Sequence, residues 1–373
     1  APLACLDHTC LPLCIITMCD EKNFTNITDC ESGSDYKSVV SVVVPILFGL
    51  IVVVGLFGNA LVVLVVAFNQ QMRNTTNLLI INLAIADLLF IVICVPFTAT
   101  DYALRYWPYG DLWCKSVQYI VIVTAYVSIY TLVLMSLDRF LAVVFPISSM
   151  AIRNERNTSL LILCTWVVIV TACVPAIFAH GEYTYLLRVP VTVCKFLDSS
   201  WNYPAFQLSF FATAYVVPLV IICGLYVVML NRLWGTGPEG HMSRESLRGK
   251  KRVTRMVVVV VVIFAVCWCP IHIVLVLRSL NRYDQTSLTV MIQIVSHVLA
   301  YMNSCVNPIL YAFLSENFRK AFRRIIYCNG NNRYRGGRDL PNHKQGTQLL
   351  ETKAHFQGRQ NKDNNGNQDV DNV

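Results

Sequence analysis

The stretch VLMSLDRFLAVVFP, residues 133–146, places an acid and a base, Asp138 and Arg139, side by side in a run that is otherwise almost entirely apolar. It closes a longer apolar block, residues 111–145, which exceeds the roughly 20 residues that a helix needs to cross a bilayer. Ionisable groups inside such blocks are rare, and they usually face the interior of a helix bundle and pair with each other. The stretch therefore predicts a membrane-spanning helix that carries a charged pair within a bundle.

Composition and six further apolar blocks extend this prediction to the whole chain. Of 373 residues, 55% are hydrophobic and 14% are charged, whereas a soluble domain carries about 25% charged residues. Backbone groups in lipid must be hydrogen-bonded within their own segment, so each block is predicted to be a helix. The alternating segments of a membrane barrel are absent from the sequence. We therefore expect an all-α membrane protein, a seven-transmembrane helix bundle whose other blocks are residues 39–68, 76–100, 158–178, 203–232, 253–278 and 286–312.

Basic residues cluster after the odd-numbered blocks. The positive-inside rule places those loops in the cytoplasm and the N-terminus outside, in a multi-pass protein of the plasma membrane. The net charge of +8 then lies beside anionic lipid, so the lipid bilayer is the expected partner and nucleic acid is not. The residues that carry this argument are Arg73, Arg153, Arg156, Arg244, Arg248, Lys250, Lys251, Arg252, Arg255, Arg319, Lys320, Arg323 and Arg324.

The chain ends flank this bundle, residues 39–314. The outer tail, residues 1–38, has two glycosylation sequons, at Asn23 and Asn26. The cytoplasmic tail, residues 329–373, is rich in Asn, Gly and Gln, and is predicted to be disordered.

Residues 315–328 predict a short amphipathic helix on the membrane surface. Its apolar residues, Phe318 and Phe322 among them, are expected to face lipid while its basic residues face the headgroups. Cys328 then lies where palmitoylation would add a second anchor, the alternative being a free thiol.

Two of the 15 cysteines, Cys114 and Cys194, fall on the oxidising side of the membrane, where a disulfide can form. A bridge between them would hold a long loop over the bundle and shape an outer cavity. The alternative is two separate thiols.

The charged pair is expected at the inner end of the third helix, because 25 residues from Cys114 to Arg139 span about 38 Å. In one interpretation Arg139 is exposed and extends to the headgroups. In the other, Asp138 restrains Arg139 in one state and releases it to a cytoplasmic partner in another.

A second polar set is predicted deeper in the membrane, around Asp87, with Asn59, Ser128, Asn303 and Asn307 at similar depths. Oxygen donors around one carboxylate suit a small cation, here sodium. The alternative is a hydrogen-bonded polar core without an ion.

Two blocks contain proline, in FAVCWCP (264–270) and NPILY (307–311). Proline removes a backbone hydrogen bond and kinks a helix. With Phe264 and Trp268 on one face before Pro270, this predicts a hinge in the sixth helix, the alternative being aromatic core packing beside a passive kink.

The predicted outer cavity is polar but mostly neutral, since the acids in the cores of the spans are Asp87 and Asp138, both too deep to reach it. Such a cavity suits a ligand with an uncharged buried end, for example an amidated peptide, because a free carboxylate would call for a deeper arginine. The alternative is that the histidines are packing residues. The candidates are Phe97, Gln118, Tyr126, Lys195, His272, Arg278, Gln293, His297 and Tyr301.

These motifs together resemble those of the rhodopsin-like (class A) G-protein-coupled receptors through about residue 328. The segments LSENFRKAF and CWCPIHIVLVLRSL are similar to the galanin and allatostatin-A receptor group, most of all to its allatostatin-A branch. Phe140 departs from the usual Asp-Arg-Tyr. The matching positions are Gly58-Asn59, LAIAD ending in Asp87, Trp107, Gly110, Cys114, Asp138-Arg139, Trp166, Cys194, Pro218, Tyr226, FAVCWCP and NPILY.

The resemblance implies a ligand and partners. Val121 stands where amine receptors have an aspartate, and Tyr301 where opsins have the retinal lysine, so it excludes both classes and adds Val121 to the cavity. It implies a neuropeptide ending in Phe-Gly-Leu-amide, a heterotrimeric G protein of the Gi/o class, arrestin and a receptor kinase. It adds Tyr226, Asn307, Pro308 and Tyr311 to the switch residues.

Other function classes remain open. The same fold could bind a galanin-like peptide, a lipid or another small molecule. A transporter or channel would need polar residues continuing past Asp87 to the cytoplasm, where Leu and Val occur instead. The sequence shows no nucleophile–base pair or metal-ligand spacing, so we expect neither an enzyme nor a cofactor other than the possible sodium ion.

Overall fold

The computed structural model describes residues 27–69, 72, 74–104, 106–186, 190–235, 244–284, 286–314 and 316–326. Its regular elements are helices and one two-stranded sheet. In chain order they are α1 (Ile27–Phe68), α2 (Thr75–Ile93), α3 (Val95–Leu104), α4 (Asp111–Val144), α5 (Glu155–Ala172), α6 (Pro175–Ala179), β1 (His180–Tyr185), β2 (Val191–Phe196), α7 (Tyr203–Phe211), a π-helical turn (Ala212–Val216), α8 (Val217–Gly235), α9 (Arg244–Ser279), α10 (Ser287–Leu314) and α11 (Glu316–Ile326).

In the part of the chain that the structure describes, seven helical segments are long and apolar enough to cross a membrane, which confirms the prediction of seven spans. We number them as the first to the seventh span in chain order. They are Val40–Phe68, Thr75–Leu104, Asp111–Val144, Glu155–Ala179, Tyr203–Arg232, Val257–Ser279 and Ser287–Phe313.

Some helices extend beyond the predicted apolar blocks. Helix α1 begins at Ile27, so residues 27–38, which were predicted to be part of the outer tail, are helical. The second span ends at Leu104 rather than at residue 100. Residues 27–38 are mostly polar and residues 101–104 begin with an aspartate. A hydropathy pattern does not detect such segments, because a helix satisfies its own backbone hydrogen bonds in water and in lipid alike.

Proline interrupts or bends several spans. The second and fourth spans each divide into two helices, next to Pro96 and Pro175 respectively. Pro270 and Pro308 lie inside the continuous helices α9 and α10. Pro270, the proline expected to act as a hinge, is therefore within a span, as is Pro308, and each removes one backbone donor.

Strands β1 and β2 form an antiparallel hairpin between the fourth and fifth spans, with Glu182 opposite Cys194. A disulfide joins Cys194 to Cys114 at the start of the third span, with the two Cα atoms 5.5 Å apart. The predicted bridge is thus confirmed, and it ties β2 across the bundle. We call this the hairpin end of the bundle.

Helix α11 lies at the opposite end, which we call the α11 end. Phe318 and Phe322 are buried there, at 1% and 7% exposure, and the Phe318 ring lies 5.7 Å from that of Tyr311. The expectation that these two side chains face lipid is wrong, because the α11 end of the bundle offers them a protein surface. Arg319, Lys320 and Arg323 are exposed, so α11 is amphipathic as predicted.

Candidate ligand-binding site

A cavity of about 300 Å³ opens among the helices at the hairpin end, beneath Val193 and Cys194 of β2. Its walls come from the first, second, third, fifth, sixth and seventh spans. Eight of the ten predicted ligand residues line it: Phe97, Gln118, Val121, His272, Arg278, Gln293, His297 and Tyr301.

Tyr126 and Lys195 are not among the lining residues. The Tyr126 hydroxyl shares a 2.7 Å hydrogen bond with that of Thr213 on the fifth span. The Lys195 ammonium lies 4.2 Å from the centre of the Tyr183 ring within the hairpin. Successive side chains of a strand point to opposite faces. Cys194 is bonded to Cys114 of the bundle, so the next residue, Lys195, points away from the cavity.

Aromatic rings surround His272 at the base of the cavity. Its ring centre lies 5.0 Å from that of Tyr215, 5.2 Å from Phe210 and 6.0 Å from Trp268. The Trp268 ring in turn lies 5.8 Å from Phe264, at an interplanar angle of 27°. Phe264 belongs to the core of the α11 end. This stack therefore connects the cavity to the opposite half of the bundle.

Hydrogen bonds join the second and seventh spans at the cavity wall. The hydroxyls of Thr98 and Tyr301 are 3.0 Å apart, and the Tyr102 hydroxyl lies 3.2 Å from Nδ1 of His297. Sequence reasoning missed Thr98 and Tyr102. Their spacing of four residues places both side chains on one face of the helix, and both line the cavity.

Two fully buried polar atoms of the cavity lining lack a partner among the described residues, Gln293 Oε1 and Trp268 Nε1. Gln293 is only 4% exposed. A buried polar atom without a hydrogen bond destabilises a structure by about 1–3 kcal/mol. A ligand that donates to Gln293 and accepts from Trp268 would remove that destabilisation.

The cavity also contains an acid that lies one residue beyond the predicted second block, residues 76–100. Asp101 lines it, because α3 continues to Leu104. The expectation of a cavity whose acids all lie too deep is therefore wrong. Within the part of the chain that the structure describes, the Asp101 carboxylate has no hydrogen bond or ion pair.

His180 is a further lining residue that sequence reasoning missed. Its Nδ1 donates to the Ala176 carbonyl over 2.9 Å, and its ring meets those of Phe196 and Phe206 edge-on. Burial lowers the pKa of His180 below its ordinary value, so the imidazole is neutral at physiological pH. Its position just after α6 gave no sequence signal.

The predicted polar set around Asp87 is buried in the middle of the bundle. Asp87 accepts a 2.9 Å hydrogen bond from Asn307, and Asn59 donates to the backbone carbonyl of Ser304 over 2.8 Å. Among the described residues, no hydrogen bond joins Asp87 to Ser128 or Asn303, although both are buried.

Three amide oxygens of this set, those of Asn59, Asn303 and Asn307, are buried without a donor among the described residues. Together with the Asp87 carboxylate they form a group of hard oxygen ligands, the type that small cations prefer. The residues present therefore fit a sodium ion.

Asp138 is 7% exposed at the α11 end, and each of its oxygens accepts from one arginine and one threonine. Oδ2 accepts from Arg139 and from Thr76, each over 3.0 Å. Oδ1 accepts from Arg153 over 2.8 Å and from Thr75 over 3.1 Å. Arg139 also contacts Thr76. The interpretation with Arg139 paired to Asp138 fits this geometry, and the one with Arg139 exposed does not.

Three of the other predicted switch residues belong to or pack on the core of the α11 end. Phe264 and Tyr311 are buried in the core of the α11 end, with Tyr226 packed against it. The Tyr311 hydroxyl has no partner within the described chain. Phe140 packs edge-on against Phe145, with ring centres 5.9 Å apart.

Three predicted modification sites, Asn23, Asn26 and Cys328, lie outside the described residues.

Comparison with known proteins places these features in a family. Residues 58–311 match the profile of the 7 transmembrane receptor (rhodopsin family). The chain is 60% identical over 322 residues to an allatostatin-A receptor of Bombyx mori, covering 85% of this chain and 89% of that protein. It is 39% identical to galanin receptor type 2 of Rattus norvegicus, covering 81% and 80%. With galanin receptor type 1 of Homo sapiens the identity is 38%, covering 80% and 84%.

Proposed function

Because the chain belongs to the rhodopsin family of seven-transmembrane receptors, we propose that it is a neuropeptide receptor of the allatostatin-A type. Its ligand is a peptide ending in Phe-Gly-Leu-amide, and its effector is a heterotrimeric G protein of the Gi/o class. It catalyses no covalent chemistry and promotes nucleotide exchange on its partner. The identity to the Bombyx mori receptor supports the peptide class.

The observation that carries the proposal is the buried, unpartnered oxygen of Gln293 in the cavity. A primary amide has N–H groups that can donate to this oxygen, whereas a carboxylate has only acceptors. A peptide acid would leave Gln293 unpaired and bring a charge that must be desolvated. The cavity therefore favours the amidated peptide.

The signal reaches the α11 end through the sixth span. A peptide that displaces Trp268 also moves Phe264, whose ring is stacked on that of Trp268, and bends α9 at Pro270. The part of α9 at the α11 end then swings outward, Arg139 leaves Asp138, and the G protein enters the space that opens. Tyr226, Asn307, Pro308 and Tyr311 accommodate this movement.

The topology follows from the same proposal. The hairpin end faces the extracellular solution with the N-terminus, and the α11 end faces the cytoplasm. Asn23 and Asn26 carry glycans, and Cys328 carries a palmitoyl chain beside α11. Arrestin and a receptor kinase bind the cytoplasmic side after activation.

A sodium ion at Asp87 is part of the proposal. Ser128, Asn303 and Asn307 would complete the oxygen ligands, and the ion would supply the positive charge that a carboxylate at this depth requires. It would stabilise the resting state.

The test uses cells with a potassium-channel readout of Gi/o activity and one peptide sequence, supplied as the amide and as the free acid. We expect the amide to be at least ten times more potent. Gln293→Leu should reduce this ratio by about two- to tenfold, the value of one neutral hydrogen bond. Gln118→Leu is the comparison within the same lining: because the Gln118 amide already contacts the Cys194 sulfur, its loss should affect both peptides alike and leave the ratio of their potencies unchanged.

Equal potency of amide and acid would contradict the amide assignment. A receptor that reaches the surface and ignores both peptides would contradict the ligand class. The second candidate is then a galanin-like peptide, which the identity to galanin receptors favours, and after it a lipid or another small molecule.

A further inference from the structure

We infer that Asp101 forms a subsite for a cationic group of the ligand, either the N-terminal amine of the peptide or a basic side chain. This inference rests on the proposed peptide receptor. It adds a requirement that an amidated C-terminus alone does not impose, namely a positive charge elsewhere on the same peptide.

The position of Asp101 is fixed by its neighbours in α3. Thr98 and Tyr102 lie one turn before it and next to it, and both are hydrogen-bonded to the seventh span. The Tyr102 ring also packs against Phe48 of the first span. These contacts hold α3 in the bundle, so Asp101 occupies a defined place in the cavity wall.

Asp101 differs from the paired acids nearby. Asp111 accepts from the Lys115 ammonium over 2.5 Å and from the backbone N–H of Glu182 over 3.0 Å. Asp198 lies 4.0 Å from the Lys195 ammonium. Asp101 has no such partner among the described residues. A half-buried carboxylate without a partner is unfavourable, and a cation from the ligand would pair with it.

The cavity also contains a base, Arg278 of the sixth span. It forms no ion pair with Asp101, so it does not neutralise that carboxylate. The remaining polar lining offers hydrogen bonds rather than charge, as at Gln293 and Tyr301. The most direct neutralisation of Asp101 in the cavity is therefore a cation that the ligand brings.

A neighbour in the sequence offers a competing explanation. Arg105 follows Asp101 by four residues, the spacing of an intrahelical ion pair, and it lies outside the described residues. A structural pair of that kind would make Asp101 important for folding rather than for the ligand. The experiment must therefore separate the two roles.

We would measure the potency of Phe-Gly-Leu-amide peptides of increasing length whose one cation is the N-terminal amine, each with its N-acetylated counterpart. At the length that reaches Asp101, acetylation should lower potency on the unmodified receptor about tenfold. The free-amine peptide should be about ten times less potent on Asp101→Asn than on the unmodified receptor. Acetylation should not lower its potency on that variant any further, as expected for two groups in contact. Asp284→Asn, which removes an exposed acid outside the cavity lining, should change neither peptide.

Two further variants complete the design. Asp101→Lys should prefer an N-succinylated peptide to the free-amine one, which reverses the preference. Arg105→Gln should leave the potency of free-amine peptides unchanged or raise it. Surface expression is measured for every variant.

Three results would overturn the inference. One is an equal effect of acetylation on the unmodified receptor and on Asp101→Asn at every length. Another is a loss of potency on Asp101→Asn and on Arg105→Gln that is the same for free-amine and acetylated peptides. The third is an unmodified receptor that responds to none of the amidated peptides, which would reject the proposed function and the inference with it. A response whose potency does not depend on the cation of the peptide would reject the inference alone.

Discussion

Asp101 at the hairpin end of the bundle and Asp138 at the α11 end are paired in opposite ways. At the hairpin end Gln293 and Trp268 have buried polar atoms without a partner in the described chain, and Asp101 has no counter-ion there. At the α11 end each oxygen of Asp138 accepts from both an arginine and a threonine. Unpaired groups favour binding of a ligand, and fully paired groups favour one resting arrangement. The difference indicates where the molecule receives a signal and where it resists one.

The largest effect is expected from Arg139→Ala. If Arg139 is the group that moves to the G protein, its loss should lower peptide-stimulated nucleotide exchange by roughly a hundredfold, as truncation of a buried arginine at an interface does. Peptide binding should be retained. The fold should also be retained, because Asp138 keeps Arg153 and both threonines.

Radioligand binding and G-protein nucleotide exchange in the same membranes check this prediction. Arg156→Ala is the matched control, since Arg156 is an exposed arginine at the same end. Normal exchange by Arg139→Ala would show that the paired end is merely a structural contact.

The second largest effect is expected from removing Arg153, the other arginine bound to Asp138. When Arg139 leaves, Arg153 is the cation that remains on Asp138, through the other carboxylate oxygen. Arg153→Gln removes it in both states, so the resting state keeps one cation and the active state has none. We expect maximal peptide-stimulated exchange to fall about tenfold, because a hydrogen bond to a charged group contributes about 1.5–3 kcal/mol.

Arg153→Lys should restore part of the response, since it keeps the charge. Exchange without peptide distinguishes the opposite mechanism: a raised basal rate in Arg153→Gln would mean that Arg153 restrains the resting state instead of supporting the active one.

The sequence predicted the features that depend on neighbouring residues. The seven spans follow from length and hydropathy, and helical spacing together with the family resemblance placed eight of the ligand residues in the cavity. Features that depend on contacts between distant residues were missed. Thr76 and Asp138 are 62 residues apart, and neither local pattern indicates the other.

Two errors have local physical causes. Asp101 fell outside the predicted block 76–100 because a hydropathy boundary stops at the first charge, whereas a helix continues as long as its backbone is paired. Lys195 was assigned to the cavity because the sequence did not reveal that residues 191–196 form a strand, whose side chains alternate between two faces.

The smallest effect concerns Asp87, which lies between the two ends and shares features of both. It is paired with Asn307, yet three amide oxygens of its polar set have no donor in the described chain. If sodium binds there and stabilises the resting state, replacing sodium by N-methylglucamine should raise peptide affinity about fivefold, the lower end of coupling between two sites.

Asp87→Asn removes the charge and should abolish that dependence while leaving the preference for the amidated peptide unchanged. Ser128→Ala should weaken the dependence by removing one oxygen. Competition binding at constant ionic strength measures all three. An unmodified receptor that binds peptide equally in both salts would indicate a hydrogen-bonded polar core without an ion, and the unpaired oxygens would then belong to the network that rearranges when Arg139 is released.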